Sequence, residues 1–130
     1  MKVKKLKKRG FTLVEIILVI VLIGIMAAII VPKFAGQTDK AKIAATKANI
    51  ETLRSAIRIY QGNNDGALPS ALSDLVTTYI KAIPEEAITP SSNVRNSNDG
   101  NGGWVYVSSS GEVSVNLSGD DSDGDAYSSY

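Results

Sequence analysis

The chain has 130 residues, 44% of them hydrophobic and 21% charged, a size that suits one domain. It contains no cysteine and no histidine, which removes disulfides, thiolate chemistry, and histidine acid–base or metal chemistry. The net charge of +1 conceals an asymmetry: six of the 14 basic residues lie in the first ten positions, leaving 8 basic and 13 acidic side chains in residues 11–130. Such a body has no basic patch for nucleic acid, which is not expected as a primary partner, while the basic front end holds a segment in the cytoplasm. P-loop, dinucleotide-binding glycine and nucleophile-elbow patterns are all missing, so an enzyme is not expected.

From Phe11 to Val31 only Thr12 and Glu15 are polar. A helix over those residues is about 30 Å long, the thickness of a bilayer's hydrocarbon core. A basic start followed by an apolar run also describes a secretory signal peptide. Against that reading, the run is longer than a signal's apolar region, about 7–15 residues, and Glu15 interrupts it. Moreover the helical pattern does not end with the run. In residues 33–61 the positions Ile43, Ile50, Leu53, Ile57 and Tyr60 recur on one helical face, while Lys40, Lys47, Glu51, Arg54 and Arg58 oppose them. The two segments predict one helix of about 50 residues, apolar all round at first and amphipathic afterwards.

Glu15 calls for a physical reason, because an ionised group at the bilayer centre costs about 2.5–3.5 kcal/mol. Its shallow depth allows the carboxylate to snorkel to the headgroups; alternatively it has a partner charge. Gly24 and Pro32 disturb the same helix: Pro32 cannot donate to the carbonyl of Ala28, and Gly24 adds backbone freedom. Either they are a tolerated kink or they let the helix loosen.

"GNNDG" at 62–66 is a turn cluster that ends the long helix. Ser70 is the expected N-cap of a short helix whose Leu68, Leu72, Leu75 and Ile80 face the core. Pro84 and Pro90 frame a loop, and residues 91–103 are polar without periodicity. "WVYV" (104–107) and "EVSVNL" (112–117) read as a β-hairpin joined by "SSSG", with Val113, Val115 and Leu117 on its buried face. A lone hairpin is marginal, so the amphipathic helix must be its core partner. The expected fold is α+β: a long N-terminal helix packed on a small C-terminal antiparallel sheet. The chain then closes in "SGDDSDGDAYSSY", where hard oxygen ligands at Asp121, Asp123 and Asp125, with Gly124 for a tight turn, suit Ca²⁺. The competing reading is a solvated acidic segment with no ligand.

"KKRGFTLVEIILVIVLIGIMAAIIVP" resembles the prepilin-type N-terminus of type IV pilins and type II secretion pseudopilins: the basic leader, Gly10, Phe11, Thr12, Leu13, Glu15 and Pro32 all match. The resemblance implies that prepilin peptidase cuts between Gly10 and Phe11 and that the Phe11 amine is methylated. It also implies that Glu15 neutralises a Phe11 amine, its own or a neighbour's, and that the segment from Gly24 to Pro32 loosens in the filament. "YQGNNDGALPSALSDLVTTYIKAIP" looks more loosely like the major pseudopilin, in which the C-terminal loop binds calcium. The frequent Asp-Pro-Trp-Gly element of that family is replaced here by "GNGGW". The absence of cysteine favours a pseudopilin over those pilins that close with a disulfide.

The implied organisation is a cleaved leader (1–10), a transmembrane and filament-core helix (11–32), an amphipathic helix (33–61) and a head (62–130). The implied partners are a homo-oligomeric helical filament, prepilin peptidase, an assembly ATPase, inner-membrane platform proteins and the membrane. Single-pass insertion in the cytoplasmic membrane would put the N-terminus inside and the head outside, in a periplasmic or extracellular filament after assembly. A type IV pilin for adhesion, motility or DNA uptake is the nearest alternative; a membrane-anchored extracytoplasmic binding domain is the alternative from another class.

Overall fold

The apolar and amphipathic runs form one continuous helix, α1 (Leu13–Asn63, 51 residues), in a computed structural model that describes residues 10–130. Residues 1–9, most of the expected leader, lie outside the described residues. Pro32 sits inside α1, and the helix continues through it. Around Gly36 the molecule divides into two compact units.

Within the first unit, every large apolar side chain from Phe11 to Phe34 is exposed. By composition and length this part of the helix is long and apolar enough to cross a membrane.

In the second unit, α1 behaves as its periodicity predicts. Ile43, Ile50, Leu53 and Ile57 are buried, joined by Thr46 and Ala56. The turn cluster ends the helix as expected: the amides of Asn64 and Gly66 both donate to the Gln61 carbonyl, with Asp65 and Gly66 at positive φ. The short helix that follows is a single 3₁₀ turn, Leu72–Leu75, with Leu72 and Leu75 fully buried. Its cap is Ala71 and not Ser70. Asp74 supplies the capping carboxylate, taking the Ala71 amide at 3.0 Å and the Ser70 hydroxyl at 2.8 Å, so the expected cap residue became a donor to it.

The predicted hairpin is present as β2 (Trp104–Val107) and β3 (Glu112–Val115), antiparallel with Trp104 opposite Val115 and Tyr106 opposite Val113. The sheet is not purely antiparallel, however. A two-residue strand, β1 (Val94–Arg95), pairs parallel to β2 in the order β1-β2-β3. Gly103 makes this possible. At φ +83 it lies so close to Asn93 that an added Cβ would stand 2.3 Å from the Asn93 carbonyl oxygen, which accepts the Trp104 amide at 2.8 Å. Trp104, Tyr106, Val113, Val115 and Leu117 form one core with the α1 face and with Leu72 and Leu75. The two polar tips in that core are satisfied: Trp104 Nε1 donates to the Pro84 carbonyl at 2.7 Å and the Tyr106 hydroxyl to the Pro69 carbonyl at 2.6 Å.

Candidate functional site

Glu15 occupies the first turn of α1. The helix begins at Leu13, so Thr12 is its N-cap and Glu15 its third residue. They form a reciprocal capping box: the Glu15 amide donates to Thr12 Oγ1 at 3.2 Å, and Glu15 Oε2 accepts the Thr12 amide at 2.7 Å. The Thr12 hydroxyl adds a third bond, at 2.9 Å. Gly10 and Phe11 precede the helix in non-helical, exposed backbone. Because the helix starts at Leu13, the amide facing the Glu15 carboxylate in the uncut chain belongs to Thr12. The pattern Thr-x-x-Glu at the head of an apolar run is the sequence signal of this cap. Gly10, Phe11, Thr12 and Glu15 together line an open surface depression.

Gly24 lies within α1 with open space around it, so an added Cβ would meet nothing within 4 Å. It needs no special backbone there. With Pro32, it marks a stretch of helix that is exposed along its whole length.

At the other end of the chain the acidic loop is built around Asp121, which is 8% exposed. Its Oδ1 accepts the amides of Asp123 at 2.8 Å and Asp125 at 3.0 Å, and its Oδ2 accepts the Tyr130 hydroxyl. Lys47 stands 3.9 Å from Oδ2. The Tyr130 hydroxyl is the main influence holding the Asp121 pKa below the usual carboxylate range, against the opposing effect of burial; the two amides and Lys47 add to it. Reciprocally, burial first and Asp121 second push the Tyr130 hydroxyl upward. Asp123 pairs with Lys40 at 3.0 Å. Asp125 contributes its backbone carbonyl, which accepts the Asp121 amide at 2.8 Å. The three residues expected to share a cation are therefore neighbours, but their carboxylates do not converge: among the described residues no group of three acidic side chains is placed to hold a metal ion.

Two buried polar residues carry the loops between these regions, and neither has a sequence signal. Glu86 is fully buried. Its carboxylate accepts the Ile88 amide, the Thr89 amide at 3.1 Å, the Thr89 hydroxyl at 2.5 Å and the Thr46 hydroxyl at 3.3 Å. It thereby fastens the loop between the two prolines to α1, as hydrogen bonds to a buried charge should. Asn116, also fully buried, accepts the Asp99 and Gly100 amides and donates to Asp99 and to the Gly102 carbonyl. It shapes the polar 98–103 segment from inside.

The geometry at Thr12 and Glu15 falls within a recognisable sequence unit. Residues 5–31 match the prokaryotic N-terminal methylation motif, which gives this chain a prepilin-like N-terminus. More particularly, the chain is similar to type II secretion system core protein G. It is 38% identical to that protein of Pseudomonas aeruginosa over 58 residues, 45% of this chain and 41% of the relative. With the protein of the same name from Klebsiella michiganensis it shares 36% identity over 85 residues, 65% of this chain and 59% of the relative. A third relative is the type IV narrow pilus major component PilA5 of Thermus thermophilus, 46% identical over 54 residues, 42% of this chain and 47% of the relative. The chain thus spans about half the length of the curated relatives it matches. No solved structure matches it.

Proposed function

We propose that this chain is a non-enzymatic structural subunit of a type IV-like filament, a pseudopilin of type II secretion, anchored by α1 before it assembles. The observation that carries the reading is the methylation motif at residues 5–31 set at the head of an exposed, apolar helix that continues without a break into a folded head. In this reading, prepilin peptidase cuts between Gly10 and Phe11, and the freed Phe11 amine is methylated. The new positive charge lies beside the start of α1, where Glu15 is held by Thr12 with its charge uncompensated by any ion pair among the described residues. Bundling the apolar helices then removes water from Glu15, and pairing it with a Phe11 amine avoids a penalty of about 3–5 kcal/mol for an uncompensated buried charge. The stretch marked by Gly24 and Pro32 would be where the helix yields as it packs. An assembly ATPase and membrane platform proteins complete the proposed partner set.

Co-expression with a prepilin peptidase tests the reading. Intact-mass measurement should show loss of residues 1–10 and gain of one methyl group at Phe11. An unprocessed chain, or one cut elsewhere, would overturn it.

The likeness to PilA5 favours a second reading within the same class, a type IV pilus subunit. Surface filaments that form without a secretion apparatus would select it.

A further inference from the structure

We propose that two carboxylates of the acidic loop at 119–125, Asp121 and Asp123, are neutralised from within the chain by two lysines of α1, Lys47 and Lys40, which clamp the loop to the helix without a metal ion. This rests on the head's own geometry and is independent of the filament reading.

Lys40 and Lys47 are seven residues apart, two helical turns, and so share one face of α1. Lys40 takes Asp123 at 3.0 Å, with both side chains well exposed. Alone that pair contributes little. Lys47 is placed differently. Its ammonium stands 3.9 Å from Asp121 Oδ2 and 4.1 Å from the centre of the Tyr130 ring, and the Asp121 side chain is only 1% exposed. A carboxylate that buried needs donors on its oxygens and a positive charge nearby. Asp121 has both: two loop amides on Oδ1, the Tyr130 hydroxyl on Oδ2, and the Lys47 ammonium beside it.

The polarity of this shell is what argues against a cation. Calcium takes 6–8 oxygen ligands with their lone pairs directed at the ion. The groups facing Asp121 are N–H and O–H donors and an ammonium, which direct positive charge at the place an ion would share. Lys47 also holds Tyr130 by its ring face, while Tyr127 meets that ring edge-on at 5.9 Å. One lysine therefore ties the carboxylate and the aromatic end of the loop to the same helical face.

The test is the thermal midpoint of the full chain in detergent micelles, followed by fluorescence of the single, buried Trp104, in excess EGTA and in millimolar CaCl₂. The expected result is one midpoint in both buffers. Lys47→Met should lower it by about 4 °C or more in both. Lys40→Met should lower it less, and Lys81→Met, at a lysine with no ion pair among the described residues, should leave it unchanged. Terbium luminescence on the unsubstituted chain gives a readout that needs no variant to fold, and no saturable signal is expected. A midpoint raised by CaCl₂ but not by MgCl₂, saturable terbium binding, or a Lys47→Met midpoint equal to that of the parent chain would each overturn the clamp.

Discussion

The two halves of α1 share one helical geometry and meet opposite conditions. From Phe11 to Val31 the large apolar side chains are exposed, whereas Ile43, Ile50, Leu53 and Ile57 are covered by the sheet and the 3₁₀ turn. Their carboxylates differ in the same way. Glu15 is satisfied as a hydrogen-bond acceptor by Thr12 but has no ion pair among the described residues, while Asp121 has donors and a lysine. The second half is complete as a folding unit. In the proposed function, the first is completed by lipid and then by other helices.

The largest effect that separates the halves should come from core truncation. Leu53→Ala, at a fully buried site, should destabilise the head by about 2–5 kcal/mol. Leu18→Ala, at an exposed one, should leave the head's melting midpoint unchanged. Equal loss of head stability in both would break the comparison. Next in size is Glu86→Ala, which orphans the Ile88 and Thr89 amides and two hydroxyls. A loss of about 3 kcal/mol is expected in denaturant titration.

Acid should then weaken the head in a definite window. The Asn116 amide holds the Asp99 pKa below the ordinary carboxylate value, and the Ser70 hydroxyl does the same for Asp74. A depressed folded pKa means that the unfolded chain binds protons first. The stability these groups contribute is therefore full above about pH 4 and is lost as pH falls through their folded pKa values. Asp99→Asn should flatten that part of the pH–stability curve. The smallest effect belongs to the cap: Thr12→Ala should weaken the first turn of α1 by about 1 kcal/mol, seen as faster amide exchange at residues 13–16 with the head unaffected.

Periodicity made most of this architecture legible. The α1 face, the Leu72 and Leu75 stripe and the alternation of Val113 and Val115 each follow from local spacing, because each element has one buried face. The missed features are non-local. β1 has two residues in a polar stretch, and its pairing depends on Gly103 letting Asn93 approach. Glu86 and Asn116 look like solvent-facing residues until the loops fold around them. The Lys47–Asp121–Tyr130 arrangement joins positions too far apart in sequence for spacing to connect, so spacing leaves cation ligands and a solvated acidic segment both open. The capping role of Thr12 was visible in Thr-x-x-Glu, but the membrane setting drew attention to the charge of Glu15 instead.

The most direct measurement of the central claim is disulfide crosslinking between copies. The chain has no cysteine, so Ala45→Cys on the exposed face of α1 reports alone. With prepilin peptidase present, oxidation should give a disulfide-linked dimer, the largest product one cysteine per chain allows, and adding Glu15→Gln should leave a processed, membrane-inserted monomer. Equal dimer yields with and without Glu15 would contradict the account.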